Sequence, residues 1–331
     1  MTDPRDFERV AARLEGTCGV TVRRGVLLSE NTTWRIGGPV ALWIDIEAHG
    51  LAYQNVLEVV GILQSEDMPF TVLGGGSNIL GSDQGYAGAV IKISNTQPFC
   101  RFLDQYVYVS ADYLLSNLVR ITAQHGWGDF EFLTGIPGTV GGALAMNAGT
   151  YDRWIETLVE DVTAVIYRDY DRFEQQVDAA GDGCDDRPRV IDLRGDALTW
   201  DYRNGSLRDR AIILGATFRM SHRDEPEHIL ARINERLAKR KAGQPLEYPS
   251  AGSVFRNPEG DKAWRLVDAI GFKGKSCGDA QISDMHTNFI VNKGKATAAE
   301  VLSLIEETQR IVFEEHGVRL QKEVRLLGQE A

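Results

Sequence analysis

The stretch that decides the fold is Leu73-Gly74-Gly75-Gly76-Ser77-Asn78-Ile79-Leu80. It follows directly on Thr71-Val72-Leu73, a short apolar run that predicts a strand. Three successive glycines allow the backbone to turn tightly with its N–H groups facing inward, and such a nest binds a nucleotide diphosphate without any cationic side chain. An ordinary glycine turn is the alternative. The Rossmann pattern G-x-G-x-x-G is excluded, because Ile79 stands where its last glycine would be.

The segments before this loop alternate between helix and strand patterns. Residues 5–15 have apolar side chains at helical spacing, Ala41–Ile46 has the composition of a buried strand, and Tyr53–Gln64 again has helical spacing. This alternation predicts a small α/β lobe.

A second lobe is predicted to begin near Ala89–Ile93. Its strands are expected at Tyr106–Ser110, Asp161–Tyr167 and Ala211–Met220, with a helix at Leu114–His125.

The chain from residue 168 to its end divides into an irregular segment and a final domain. Residues 168–190 are acidic and aperiodic, and they predict an exposed insertion, with disorder or a long hairpin as the alternatives. The charged helix Glu227–Lys241 then leads to Pro245, where a final domain begins. That domain ends with a helix at Thr297–His316 and a strand-like Val318–Leu327.

A second glycine cluster spans Gly135–Gly149. So many small residues indicate that something approaches the backbone closely, either a packed helix or strand or a flat ligand. Two such clusters in one chain favour a large dinucleotide cofactor.

Composition limits the classes of protein and of partner. The 331 residues are 43% hydrophobic and 25% charged, which is globular composition. The 47 acidic residues outnumber the 36 basic ones and give a net charge of −11, which argues against general electrostatic binding to nucleic acid or to an anionic membrane. No apolar leader or membrane-length run is visible, so a cytoplasmic protein is expected. The four scattered cysteines predict neither a metal site nor a disulfide framework.

One loop of the final domain is unusually constrained. Ser253 is flanked by Gly252 and held between Pro249 and Pro258, which makes it a rigid position open to close approach. The preceding Lys239-Arg240-Lys241 concentrates positive charge in an acidic protein, although a solvated helix face is the alternative interpretation.

Taken together, these segments resemble the UDP-N-acetylenolpyruvoylglucosamine reductases, the MurB family of bacterial peptidoglycan synthesis. The matching segments occur in the family's order and cover most of the chain. They are Asn31–Pro39, Leu73–Leu80, Gly135–Gly149, Tyr202-Arg203, Gln244–Pro258, Gly271–Gly274, Ala280–Asn292 and Leu320–Gly328. Little sequence separates Gln281 from Asn292, so the chain resembles the shorter subtype that lacks an extra tyrosine-bearing loop.

The resemblance implies an α+β fold. A vanillyl-alcohol-oxidase/PCMH-like FAD-binding domain of two α/β lobes would precede a C-terminal α+β substrate-binding domain. The implied boundaries are an N-terminal segment at 1–30, the FAD-binding domain at 31–222 and the C-terminal domain at 223–331. The two lobes would cover about 31–95 and 96–222, and the insertion 168–190 would belong to the second.

The implied activity is the reduction of UDP-N-acetylglucosamine enolpyruvate to UDP-N-acetylmuramate, with bound FAD and with NADPH as hydride donor. The expected partner is therefore a small UDP-sugar, with no nucleic acid, membrane, metal or obligate protein partner. An FAD oxidoreductase of the same architecture with another substrate, or a catalytically silent flavin- or nucleotide-sugar-binding paralogue, are the alternatives.

The family's motifs assign site residues to this sequence. Arg203 matches the residue that binds the substrate carboxylate, Ser253 the proton donor and Glu323 the third catalytic residue, whose carboxyl would have to be protonated to donate a hydrogen bond. The cofactor residues would be Arg35, Ile36, Gly74, Gly75, Gly76, Ser77, Asn78, Gly138, Thr139, Gly141, Gly142 and Asn147. The substrate residues would be Tyr202, Lys241, Asn257, Gln281, His286 and Asn288.

Four positions depart from the family's motifs. Gly205 and Leu207 replace the serine and the phenylalanine of Y-R-x-S-x-F, Asp152 replaces a glycine, and Lys322 replaces a proline. None of them removes a proposed catalytic residue, but they leave room for a paralogue with another substrate.

Overall fold

The protein is described from a computed structural model. The structure describes residues 4–48, 53–95, 97–150, 153–169 and 188–328. Its contacts divide the chain into two compact units that alternate along the sequence. The first is drawn from Met1–Arg23, Leu42–Gly74 and Gly88–Leu237, and the second from Arg24–Ala41, Gly75–Ala87 and Ala238–Ala331.

The secondary structure is mixed. The helices of the described residues are α1 (Pro4–Leu14), α2 (Gln54–Ser65), α3 (Leu115–Gln124), α4 (Val140–Ala145), α5 (Pro226–Gly243), α6 (Ala263–Ala269) and α7 (Ala298–His316). The strands are β1 (Val20–Arg23), β2 (Val26–Leu27), β3 (Pro39–Ala48), β4 (Phe70–Val72), β5 (Ile79–Gly81), β6 (Tyr86–Asn95), β7 (Cys100–Leu103), β8 (Tyr106–Ser110), β9 (Gly149–Thr150), β10 (Arg153–Trp154), β11 (Val159–Ile166), β12 (Arg189–Arg194), β13 (Trp200–Asp201), β14 (Asn204–Gly205), β15 (Ala211–Arg219), β16 (Ser276–Cys277), β17 (Ala280–Ile282), β18 (Ile290–Asn292) and β19 (Arg325–Leu327).

The N-terminal sheet has the order β1-β3-β6-β4, with β2 paired to β3. Strands β1 and β3 are antiparallel, whereas β4 runs parallel to β6 in the register Phe70↔Ala89. In the first unit, helices α1 and α2 bury Val10, Leu14, Val56 and Val60 in a core that includes strand residues of β3 and β6. The parallel strand β4 leads directly to Gly74, which places the glycine loop at the end of a strand.

The second sheet of the first unit is antiparallel, in the order β12-β11-β15-β8-β7. Its apolar side chains pack with those of α3 and α4, including Leu118, Val140 and Leu144. Part of the second glycine cluster is therefore helical, because α4 lies within it. The sequence predicted only that another group approaches this backbone closely.

The second unit combines the three-stranded sheet β16-β17-β18, the parallel pair β19-β5 and the helices α6 and α7. Its core includes Trp34, which comes from the first 41 residues, together with Val254 and Val301. The segments 24–41 and 75–87 approach each other closely at Gly85. A Cβ there would lie 1.7 Å from the carbonyl oxygen of Pro39, and the φ of Gly85 is +81°. Only glycine fits this position.

Most predicted helices and strands are present within a few residues of their expected bounds. The strand expected at Val318–Leu327 is shorter, because only Arg325–Leu327 pairs, with β5. In the expected insertion, Arg189 and Val190 belong to β12, and residues 170–187 lie outside the described residues. Cys18, Cys100 and Cys277 are free thiols, and Cys184 also lies outside that part. Across the described ranges, no helix has both the length and the apolarity needed to cross a membrane.

Helix α7 carries a complete N-terminal cap. Thr297 accepts a hydrogen bond from the Glu300 N–H at 3.2 Å, and the Glu300 carboxylate accepts one from the Thr297 N–H at 3.0 Å. Replacing Thr297 by Ala is expected to lower the free energy of unfolding by about 1 kcal/mol, because the Glu300 N–H loses its acceptor at the start of the helix. Urea unfolding measures this, with the exposed Ser303→Ala as the control, expected to change it by less than about 0.5 kcal/mol. Equal losses in both variants would contradict the role of the cap.

Candidate active site

The predicted cofactor residues of the first unit lie close together. A Cβ on Gly74 would stand 2.9 Å from Thr139 Oγ1 and within 4 Å of Gly142. Thr139 caps α4, since its side chain accepts a hydrogen bond from the Gly142 N–H at 3.3 Å. Gly138 accepts a hydrogen bond from the Leu115 N–H at 3.1 Å. Both glycine clusters therefore meet at Gly74, and side chains larger than hydrogen are excluded from that contact.

Lys92 on β6 lies next to Gly74, the first residue of the glycine loop. Its ammonium donates a hydrogen bond to the Gly74 carbonyl, and the side chain is half-buried. Burial lowers the pKa of Lys92 below its usual value, although Asp45 and Asp112 oppose that shift. Those carboxylates bond elsewhere, Asp45 to Arg23 and Asp112 to Asn95, and within the described part of the chain Lys92 forms no ion pair. A half-buried cation beside a glycine loop is suited to an anionic ligand.

Arg203 sits at the tip of a tight hairpin. Strands β13 and β14 pair as Trp200↔Gly205 and Asp201↔Asn204, which leaves Tyr202 and Arg203 as the two-residue turn. The φ of Arg203 is +57°, in the left-handed region that non-glycine residues seldom adopt. Its Nη1 donates to the Gly149 carbonyl at 3.0 Å, and the guanidinium carbon lies 5.4 Å from the Tyr202 ring centroid.

Asn147 is held by hydrogen bonds within the chain. It is 2% exposed and its φ is +43°. Its amide nitrogen donates to the Glu156 carboxylate at 2.6 Å and to the Asp201 carbonyl at 3.2 Å, and its Oδ1 accepts from the Glu156 N–H at 3.4 Å. Both amide hydrogens are thus already bonded to protein atoms, which favours a structural role for this predicted cofactor residue.

The departure at Gly205 has a local explanation, and Leu207 keeps the apolar character of the residue it replaces. A Cβ on Gly205 would lie 2.6 Å from the Leu144 carbonyl oxygen and 3.0 Å from the Trp200 ring, so the family's serine does not fit this packing. Leu207 is 2% exposed and belongs to the core of the first unit, where an apolar side chain is needed. Asp152 lies outside the described residues.

In the second unit, Gly76 of the glycine loop packs against the segment that contains Arg35. A Cβ on Gly76 would lie 2.2 Å from the Asn31 carbonyl oxygen, and the Gly76 carbonyl accepts from the Thr33 N–H at 3.1 Å. Arg35 is exposed with a φ of +56°, while the Ile36 side chain is buried in the core. At this left-handed position, the exposed Arg35 side chain is followed directly by the buried side chain of Ile36.

Ser253 and Glu323 lie on neighbouring stretches of backbone in the same unit. The Glu323 N–H donates to the Val254 carbonyl at 2.7 Å, and Phe255 forms a β-bridge with Lys322. Both Ser253 and Glu323 are half-buried. Asn78 completes the arrangement, since its amide donates to the Glu323 carbonyl at 3.1 Å. One proposed proton donor and one proposed carboxyl group are therefore fixed together by main-chain hydrogen bonds.

Asn288 fixes the segment that carries Ser253. Its side-chain oxygen accepts from the Phe255 N–H and its amide donates to the Phe255 carbonyl, both at 2.9 Å. Its own carbonyl accepts from the Val254 N–H at 2.9 Å. These bonds give this predicted substrate residue a positioning role.

The other predicted substrate residues of this unit have different surroundings. Lys241 is exposed in the last turn of α5, and Asn257 is exposed with its Oδ1 accepting from the Ala263 N–H at 3.1 Å. Gln281 donates to the Gly274 carbonyl and to Ser276. The His286 ring contacts Phe289 edge-on at 4.9 Å, and burial lowers the pKa of His286, so the ring is neutral at pH 7.

Sequence reasoning missed Lys92 and Glu156. A lysine inside the otherwise apolar run Ala89–Ile93 is the one signal that could have identified the first. Nothing in the spacing of Glu156 indicates its bond to Asn147.

Comparisons with known proteins decide the family. The protein-family model of the UDP-N-acetylenolpyruvoylglucosamine reductase C-terminal domain matches residues 244–327. The family model of an FAD binding domain matches residues 52–167. The UDP-N-acetylenolpyruvoylglucosamine reductase of Geobacter sulfurreducens is 35% identical over 323 residues, which cover 98% of this chain and 99% of that protein. The Clostridium novyi protein of the same name is 33% identical over 94% of this chain and 93% of its own.

The chain belongs to the UDP-N-acetylenolpyruvoylglucosamine reductase family. The crystal structure of the Thermus caldophilus reductase (MurB) covers 93% of this chain and 99% of its own, with a TM-score of 0.72 at 33% identity. The predicted family and the predicted α+β fold with an FAD-binding part are both confirmed.

FAD and NADPH are the cofactors of this family. The residues present fit FAD: the glycine loop follows directly on β4, and the Lys92 ammonium lies next to its first residue, Gly74, without a carboxylate partner among the described residues. A bound diphosphate would supply the negative charge that this arrangement lacks.

Replacing Lys92 by Met is expected to weaken FAD binding about tenfold, because a half-buried positive charge at the glycine loop is removed. Release of FAD from the purified holoenzyme, followed by flavin fluorescence on dilution, measures it. Lys273→Met removes an exposed lysine and serves as the control. Unchanged FAD retention in the Lys92 variant would show that this charge has no part in cofactor binding.

Restoring the family's serine at position 205 is expected to destabilise this chain by about 1–3 kcal/mol, because the new side chain overlaps the Leu144 carbonyl and the Trp200 ring. Urea unfolding of Gly205→Ser measures the loss. Gly243→Ser is the matched control, since a Cβ there meets nothing within 4 Å. A Gly205→Ser variant as stable as the parent would refute the steric explanation.

Proposed function

We propose that this chain reduces UDP-N-acetylglucosamine enolpyruvate to UDP-N-acetylmuramate for peptidoglycan synthesis, with Arg203, Ser253 and Glu323 as its catalytic residues. Family membership over nearly the whole chain supports the reaction. The observation that supports the residues is the main-chain pairing of the segments that contain Ser253 and Glu323, together with the strained, hydrogen-bonded turn at Arg203.

When bound, FAD supplies the hydride that it receives from NADPH. Hydride addition to the enol ether places negative charge on the neighbouring carbon and its carboxylate. The Arg203 guanidinium offers paired donors to that carboxylate as its charge grows. The Gly149 carbonyl and the left-handed turn keep the guanidinium oriented before substrate arrives.

Ser253 would deliver the proton to the carbanionic carbon. A serine hydroxyl is a weak acid, so it needs a neighbour that stabilises the developing negative charge. Glu323 lies on the adjacent segment of backbone and, when protonated, would donate a hydrogen bond to the enolate-like carboxylate. Asn288 keeps the Ser253 segment in place through its bonds to Phe255.

The remaining residues would bind FAD and the UDP-sugar. Gly74–Asn78 would hold the FAD diphosphate. Gly138, Thr139, Gly141 and Gly142 would line the flavin, with Arg35 and Ile36 nearby. Tyr202, Lys241 and Asn257 would contact the UDP-sugar through phenol, cation and amide donors, and the neutral His286 and Gln281 would contribute further polar atoms. Residues 31–222 would form the FAD-binding domain and 223–331 the substrate-binding domain of a cytoplasmic enzyme.

Replacing Ser253 by Ala separates the two half-reactions. Flavin reduction by NADPH is expected to stay nearly unchanged, because no proton donor to carbon is needed there. Re-oxidation by the enolpyruvyl substrate is expected to slow about 10²–10⁴-fold. Anaerobic stopped-flow absorbance of the flavin measures both rates.

The exposed Ser303→Ala serves as the control and should change neither rate. Equal slowing of both half-reactions by Ser253→Ala would exclude the serine as proton donor. If the wild-type flavin is reduced by NADPH but not re-oxidised by the UDP-sugar, the chain acts on another substrate or is a silent paralogue.

A further inference from the structure

Two hydrogen bonds tie the Arg203 hairpin to the segment at 147–149. One runs from the Arg203 guanidinium to the Gly149 carbonyl at 3.0 Å, and the other from the Asn147 amide to the Asp201 carbonyl at 3.2 Å. Asp201 begins the turn whose tip is Arg203. The left-handed φ of Arg203, at +57°, is unfavourable for an arginine and needs such constraints to persist.

Asn147 can hold Asp201 only while its amide keeps one orientation. A side-chain amide has similar shape in both of its flipped positions, so the surrounding bonds decide which end faces Asp201. Glu156 makes that decision, because its carboxylate accepts only from the nitrogen end, at 2.6 Å, while its N–H donates to the oxygen end at 3.4 Å.

Glu156 is itself anchored by buried neighbours. It belongs to a short helical turn, Ile155–Leu158, whose first and last side chains are buried in the core of the first unit. The Ile155 N–H also donates to the Ala148 carbonyl at 2.9 Å. The carboxylate is therefore attached to a rigid support, and its charge strengthens the bond to the amide.

We propose that Glu156 is a positioning residue for Arg203: through Asn147 it holds the hairpin in the conformation that presents the guanidinium to the substrate carboxylate. The inference rests on the proposed role of Arg203. Without the carboxylate, the Asn147 amide loses its shortest bond and keeps only the 3.4 Å bond from the backbone N–H at position 156, so the Asp201 carbonyl is held less firmly and the strained turn relaxes. A displaced guanidinium binds a carboxylate less well, so a ligand that carries the carboxylate loses more affinity than one that lacks it.

The test compares two ligands that differ in the carboxylate. UDP-N-acetylmuramate carries it and UDP-N-acetylglucosamine does not, and both are titrated into the oxidised holoenzyme by calorimetry. Glu156→Ala is expected to weaken UDP-N-acetylmuramate about tenfold and to change UDP-N-acetylglucosamine by less than about twofold. The exposed Glu160→Ala is the control and should change neither affinity. Equal weakening of both ligands, or no weakening of either, overturns the proposal.

A double-mutant cycle tests whether the effect passes through Arg203. In an Arg203→Lys background, Glu156→Ala should cost less than about a further twofold in UDP-N-acetylmuramate affinity, because the turn no longer presents a guanidinium. Additive losses contradict the proposal. If Arg203→Lys alone weakens both ligands equally, the role of Arg203 itself fails, which separates that failure from a failure at Glu156.

Glu156→Gln provides a second variant should the alanine protein not fold. It keeps an acceptor of the same shape but removes the charge, so about a threefold loss, confined to the carboxylate-bearing ligand, is expected. If the alanine protein does not fold, wild-type affinity of the glutamine variant for UDP-N-acetylmuramate, or a loss shared by both ligands, counts against Glu156.

Discussion

The left-handed backbone of Arg203 constrains the chemistry of the first unit. An arginine adopts this conformation only when its surroundings compensate for the strain, and here the two-residue turn and the bond to Gly149 do so. Asn147 has a left-handed backbone as well, and its side chain bonds to the same hairpin. The strained residues and their hydrogen bonds thus lie in the segment that the family's motif marks as catalytic. Backbone strain is often found at functional sites, where it holds side chains in a reactive conformation.

The second unit uses a different device to fix its proposed catalytic groups. Ser253 and Glu323 are separated by seventy residues of sequence (253 to 323) and are joined by β-type main-chain bonds, with the Asn288 side chain replacing a further strand partner. These main-chain hydrogen bonds restrict the positions of both residues without involving their side-chain atoms. The Asn78 amide extends the same network to the glycine loop within this unit.

The sequence predicted most helices and strands, because their apolar residues recur at regular spacing. It also predicted the glycine loop, since three glycines after a strand have few uses. The family's ordered motifs identified the candidate site residues. Periodicity could not show that α4 forms inside the second glycine cluster, where small residues give no amphipathic pattern. Nor could it reveal Lys92 or Glu156, because their partners, Gly74 and Asn147, are set by tertiary packing. Gly205 looked like a lost serine until the Trp200 ring and the Leu144 carbonyl explained it.

The interleaving of the two units has a consequence for synthesis on the ribosome. Trp34 and Ile36 in the segment 24–41 and Leu80 in the segment 75–87 pack in a core whose other buried members come from beyond residue 250. During translation these apolar side chains emerge long before their partners, and β5 has no strand to pair with until β19 has been made. The nascent chain therefore exposes apolar surface for most of its elongation. We expect this unit to bind chaperones that recognise nascent polypeptides.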